Sequence, residues 1–183
     1  MGLSPQQIHR SAALRQGLLQ AAARLIARAG AQALTLDAVA REAGTSKGGL
    51  LHHFRCKTDL LRAVMQDLLD RFEADLRRLA EADPDPRGRC MRAYINASAA
   101  SAPDEGRLGM AVMTALLFDP TLMRQWQDSV RDWLAGDSAD PVQAGILRLA
   151  ADGLWASEAF GLHPMTPEQR DAIVQRLIAM TRP

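Results

Sequence analysis

The chain has 183 residues, 48% of them hydrophobic and 23% charged, with a net charge of only +1 at pH 7. That is an ordinary globular composition with room for a sizeable core, one domain or two small ones, and the whole-chain charge announces no nucleic-acid binder. Two cysteines, Cys56 and Cys90, exclude a disulfide framework. No apolar run approaches the roughly 20 residues of a membrane span, and no signal-peptide core is present, so a cytoplasmic, membrane-free protein is expected. The distribution of charge says more than its sum: residues 1–60 carry eight Lys/Arg against three Asp/Glu, a net of +5, and the remainder carries 14 against 18, a net of −4. A basic front and an acidic rear suit a DNA-facing module joined to a body that does not touch DNA.

Residues 1–10 are polar, contain Pro5 and read as a loose arm, from which Arg10, and Arg15 beyond it, can brush phosphates. Ser11 to Ala29 reads as a helix with Leu14, Leu18, Ala22, Leu25, Ile26 and Ala29 on one stripe, stopped by Gly30. Thr35 caps a short helix whose apolar positions are Leu36, Val39, Ala40 and Ala43, and Gly44 ends it as a left-handed cap. Thr45 and Ser46 offer a second cap, before a short helix carrying Leu50, Leu51 and Phe54. Helix, tight glycine turn and helix is the layout of a helix-turn-helix DNA reader, completed as a three-helix unit by Ser11–Ala29.

The second short helix has the chemistry of a reader. Gly48 and Gly49 each cost roughly 1 kcal/mol inside a helix, so something other than propensity favours them; close approach of backbone to a duplex is one such reason. Lys47 can reach a base acceptor or a phosphate, and His52 and His53 can hydrogen-bond phosphate oxygens. Lys57 stands where another helix begins, so its charge and the free N–H groups there hold one phosphate together.

This stretch resembles the DNA-binding segment of the TetR family of bacterial repressors. The order Thr35, Ala43-Gly44, Ser46-Lys47-Gly48, His52-His53-Phe54 and Lys57-Thr58-Asp59-Leu60 is the family's order. The chain departs from it at Leu51, where the family often has a Tyr that contacts phosphate or a thymine methyl, and at Cys56, where a small cap is usual. The resemblance implies DNA contacts at Thr35, Thr45, Ser46, Lys47, Gly48, Gly49, Leu51, His52, His53 and Lys57. It also implies repression, a variable rear domain that binds a small molecule, and two last long helices that pair with a second subunit.

Lys57 to about Ala82 reads as one long helix, on the order of 40 Å, able to start in one domain and end in another. Asp83-Pro-Asp-Pro86 breaks it. Further helices are expected from Arg87 to about Ser101, from Pro103-Asp104 through Leu108, Met110, Met113, Leu117 and Phe118, and from Leu122 to Leu134 after a turn at Asp119-Pro120. Gly136 to Pro141 is a polar loop, Val142 to Phe160 is helical, and the last helix starts near Thr166-Pro167-Glu168. The fold is all-α with about nine helices: a helix-turn-helix domain over 1–56 and a helical effector-binding and dimerisation domain over 57–183. On Val142–Phe160 the small residues Gly145, Gly153, Ala156 and Ser157 would let a partner helix approach, and Ile173, Leu177 and Met180 form an apolar stripe on the last helix; packing within one chain accounts for both equally well. Two readers on a symmetric dimer reach half-sites about 34–36 Å apart, or multiples of that.

Met110, Met113, Leu117, Trp126 and Trp133, with Tyr94 and Asn96 as polar groups and Trp155 as a wall, are the candidate pocket for a hydrophobic or aromatic effector; a Met and aromatic stripe at helical spacing more often simply fills a core. A ligand there would shift the long helix and weaken DNA binding. No cofactor is expected. His52, His53 and Cys56 lack the further ligands a metal site needs, and no nucleophile elbow or phosphate loop is present. A helical enzyme with an unrecognised site, or a protein-interaction module without a DNA role, is the alternative.

Overall fold

The computed structural model describes residues 4–100, 108–112, 114, 120–135, 137 and 140–182. Its helices are α1 (Pro5–Ala29), α2 (Leu36–Glu42), α3 (Lys47–His53), α4 (Lys57–Ala82), α5 (Arg89–Ala100), α6 (Pro120–Leu134), α7 (Pro141–Phe160) and α8 (Pro167–Ala179), with a 3-10 turn at Ala31–Ala33. Residues 108–112 and 114 are helical as well, and no strand occurs among the described residues. The fold is all-α, as the periodicity predicts. Of the helix expected from Pro103-Asp104, residues 101–107, 113 and 115–119 lie outside the described residues, and so do Gly136, Ser138 and Ala139 of the expected loop.

One expectation fails at the start. Pro5–Arg10 is not a loose arm but the first turns of α1. Ser4 accepts a hydrogen bond from the Gln7 N–H, Gln7 reaches back to the Ser4 N–H, and Pro5 stands in the first turn, where its missing donor is harmless.

The chain divides into two compact units, Met1–Leu68 with Ala111–Phe118, and Leu69–Met110 with Asp119–Pro183. In the first, α1 packs on α2 and the 3-10 turn, and α2 packs on α3. Leu18, Ala22 and Ile26 recur four apart on α1 and are buried, as are Val39 and Ala40 of α2, Leu50 of α3, Phe54, and Leu60 and Val64 of α4. Each buried Leu, Ile or Phe adds about 1.5–3 kcal/mol relative to exposure. Glu42 at the end of α2 takes Arg24 at 3.2 Å and Arg28 at 3.3 Å, both from α1, and those guanidinium groups hold its carboxyl below the usual range. Arg15 lies over the Phe54 ring, 5.4 Å from its centre.

In the second unit α5 is the central element. Met91 to Ile95 and Ala97 to Ala99 are all buried, so it is covered on every side, by α6, α7 and α8. Its alanines and Ser98 let those neighbours close in. α7 turns Leu147, Ala151 and Leu154 into this core, and α8 contributes Val174 and Leu177. Leu177 is therefore core, so the apolar stripe expected on the last helix is reduced at the surface to Ile173 and Met180.

A buried guanidinium closes the unit. Arg92 is 3% exposed and donates to Asp83 Oδ2 at 2.6 Å, to the carbonyls of Asp85 and Arg87 at 2.7 and 2.8 Å, and to the Thr181 hydroxyl at 3.1 Å. Gly88 allows this knot: its φ is +71°, and a Cβ there would stand 2.8 Å from the Thr181 carbonyl oxygen.

Candidate nucleic-acid interface

The turn between α2 and α3 is built by the backbone. The Thr45 N–H donates to the Ala40 carbonyl at 2.9 Å and the Gly44 N–H to that of Arg41 at 3.1 Å, with Gly44 at φ +65°. This is a Schellman ending, and it needs a residue free to be left-handed. Thr35 and Ser46 then cap the two helices, each hydroxyl accepting at 3.1 Å, from the N–H of Ala38 and Gly49. Both are the expected caps; of the pair Thr45 and Ser46, it is Ser46 that serves.

α3 is anchored through Leu50 and Phe54, which are buried. Lys47, Gly48, Leu51 and His52 are thereby left exposed together on the open side of the helix; Leu51 is 39% exposed, large for an apolar residue. Thr35 and Ser46 are also exposed, and Thr45, Gly49, His53 and Lys57 are half-buried. Burial, followed by the positive charges of His52 and Arg15, holds His53 below the ordinary histidine range.

The two glycines, read alike in the sequence, separate here. A Cβ on Gly49 would come 2.9 Å from the Thr45 hydroxyl, so that glycine has an internal steric reason. A Cβ on Gly48 would meet nothing nearer than the Ser46 hydroxyl at 3.9 Å. No steric contact among the described residues accounts for Gly48.

Both lysines have partners within the unit. Lys47 Nζ lies 3.0 Å from Asp37 Oδ2, and Lys57 Nζ donates to the Gln32 carbonyl at 3.3 Å. Asp37 and Gln32 carry no motif that points to them in the sequence; only the spatial return of the chain brings them to the lysines.

The chain matches the family described as "Bacterial regulatory proteins, tetR family" over residues 18–64, and the "Tetracyclin repressor-like, C-terminal domain" over residues 88–182. It is 32% identical over 166 residues to the HTH-type transcriptional regulator BetI of Burkholderia mallei, spanning 82% of this chain and 84% of that one. The chain belongs to the TetR family. This TetR-family chain is a DNA-binding transcriptional regulator and not an enzyme. Its fold is similar to a transcriptional regulator from Streptomyces coelicolor A3(2), with TM-score 0.71, 22% identity, and coverage of 93% of this chain and 99% of that one. It is also similar to the multidrug binding protein EbrR complexed with ethidium, with TM-score 0.64, 26% identity, and coverage of 90% and 97%.

The rear unit of this TetR-family regulator places most of the pocket candidates. Tyr94 is buried and donates to Asp152; burial first, then that carboxylate, hold its phenol well above the ordinary range. Phe72 of α4, which no motif in the sequence singles out, meets Tyr94 edge-on at 5.7 Å and stacks on Trp126 at 5.8 Å. Phe72 thus links Tyr94 and Trp126 in one aromatic group, while Ser129, one turn beyond Trp126, donates to Glu73. Trp133, two turns along α6, is instead tied to the Cys90 carbonyl at 3.2 Å. Trp155 packs where a Cβ of Gly109 would be, 3.2 Å from its ring. Asn96 and Met110 are half-buried; Met113 and Leu117 lie outside the described residues. Among the described residues no three His, Cys, Asp or Glu are grouped to hold a metal ion, and no helix is long and apolar enough to cross a membrane.

Proposed function

We propose that this regulator is a cytoplasmic, ligand-responsive repressor that binds a two-fold operator as a homodimer. Residues 1–56 act as the reader and 57–183 as the effector-binding and pairing domain. Gly48 carries the reading of the interface: a helix-weakening residue, exposed beside Lys47, with open space where its side chain would be. That space suits the edge of a base or a phosphate. Thr35 and Ser46 contact phosphate through hydroxyls and helix N-termini, Leu51 meets a thymine methyl, His52 and His53 donate to phosphates, and Lys57 exchanges the Gln32 carbonyl for a phosphate.

Pairing is supported by the outer side of α7. Val142, Ile146 and Leu149 recur at helical spacing and are 71%, 49% and 73% exposed; Phe160 is 56% exposed, and Ile173 on α8 and Met180 just after it are partly open. Gly145 and Gly153 have open space at their Cβ positions, room for an approaching helix. A second copy of the chain supplies the cover.

The effector is a flat aromatic or hydrophobic molecule that enters among Phe72, Trp126, Tyr94 and Trp155, with Asp152 and Asn96 as polar contacts. The aromatic group supports this, and so does EbrR, a relative of similar fold seen with ethidium. Because α4 has residues in both units, a ligand that favours one setting of α4 shifts the population of DNA-competent dimers.

The test is salt-dependent binding to DNA upstream of the regulator's own gene, with a Lys47→Ala/Lys57→Ala double variant beside it. Affinity should fall steeply with salt, and the double variant should lose at least about tenfold and flatten the salt slope by at least about one. Equal binding by the variant would overturn the assignment of this face.

A further inference from the structure

We propose that Asp37 is the selectivity-setting residue of the DNA interface: it holds Lys47 in one position and opposes phosphate at the same place. This rests on the reading of α3 as the recognition helix. Residues 1–60 contain just three carboxylates, and α2 carries two of them. Glu42 is turned to α1 and clamped by Arg24 and Arg28. Asp37 is turned to α3 instead, and pairs with Lys47 at 3.0 Å on the open face, with side chains 60% and 57% exposed. An exposed pair of this kind adds little to stability. The two partners stand on different helices, so no local helical ladder explains their meeting. The pair therefore places a negative charge beside the cation that leads the recognition helix.

The consequence is chemical. A lysine without a partner is a point charge on a flexible stem, and it neutralises a phosphate anywhere along a duplex with no reference to sequence. With one donor held by Asp37, the Lys47 ammonium keeps its place and still has two N–H donors. Those suit a fixed acceptor such as guanine O6 or N7 at a base edge. The Asp37 carboxylate also repels a phosphate that comes to Lys47 from the side of α2. Both effects weaken sequence-blind binding more than binding to a site where Lys47 already meets its acceptor. Asp37 is a positioning residue, acting through Lys47.

The experiment uses the full chain and two duplexes, one selected by the wild-type protein from a random library and one of scrambled sequence. Asp37→Asn keeps an oxygen that accepts from Lys47 but removes the charge. It should bind the scrambled duplex about five- to tenfold more tightly, with a log–log salt slope steeper by about one, while the selected duplex changes less than about twofold. In a Lys47→Gln background the same change should have much less effect on the scrambled duplex. The unfolding midpoint of Asp37→Asn should fall only slightly, since the pair is exposed and the remaining loss is the carboxylate's interaction with the N-terminus of α2. An equal gain on both duplexes, an unchanged salt slope, or the same gain without Lys47 would overturn the proposal. A wild type that still discriminates the selected duplex in those cases leaves the reading of α3 standing; a wild type that binds neither duplex brings down both.

Discussion

Gly48 and Gly49 are adjacent and chemically identical, yet the chain treats them differently. Gly48→Ala fills open space and should raise stability by about 0.5–1 kcal/mol, the helix-propensity difference, while weakening DNA binding. Gly49→Ala drives a methyl against the Thr45 hydroxyl and should lower stability instead. Denaturant unfolding separates the two, and a Gly48→Ala protein with unchanged DNA affinity would mean that nothing approaches that backbone. This distinction was invisible in the sequence, because it depends on where Thr45, four residues before Gly49, points its hydroxyl. His53 yields a pH prediction. Its folded-state pKa lies below the ordinary value near 6.5, so the unfolded chain binds the extra proton more readily. The His53 contribution to stability is thus present above that ordinary value and is lost as pH falls through the folded-state value. DNA phosphates favour the protonated form, so affinity should rise over the same fall in pH. Both slopes should flatten in His53→Gln, read from unfolding midpoints and binding curves across the range.

At the scale of the element, boundaries were legible wherever a cap and a stripe coincide. Thr35, Gly44, Ser46, Gly30 and Thr166 all act where the pattern puts them, because capping needs only side chains within three residues of the helix end. The same logic, applied to Ser4, Pro5 and Gln7, would have found the true start of α1. What the pattern could not supply is a contact made by chain return. Arg92 and Asp83 are nine residues apart, but Thr181 is 89 residues from Arg92, and no periodicity connects them. This knot predicts a large single-site effect. Arg92→Met leaves the Asp83 carboxylate without its guanidinium and should cost about 3 kcal/mol near neutral pH. Arg92 is the chief cause of the depressed Asp83 pKa, so the deficit should shrink as acid protonates that carboxylate below its ordinary range. Urea titrations of both proteins at neutral and acid pH test it; a constant deficit would place the loss in packing alone.

At the scale of the molecule, the charge division in the sequence sets a basic front of +5 against a rear of −4. The face that should pair the molecule was only half legible. Small residues on α7 pointed to a close helix approach, whereas the exposure of Val142, Ile146 and Leu149 emerges only once Leu147, Ala151 and Leu154 are seen to occupy the core side. Leu149→Asp should yield a monomer by light scattering and lose operator affinity, with the fold intact by circular dichroism; a dimer that persists would mean that α7 is not the pairing face. The Arg92 knot also bears on how the molecule is made. A ribosome releases a chain from its N-terminus at about 5–20 residues per second. The capped helices α2 and α3 are therefore synthesised more than a hundred residues ahead of Thr181, and Arg92 waits nearly ninety residues for its last acceptor. During that interval the rear unit holds a guanidinium whose burial is incomplete. A translation product stopped short of Thr181 would keep the reader's residues but lack the latch of the sensor, and ribosome-stalled chains probed by protease should show the rear unit becoming resistant only after that residue has emerged.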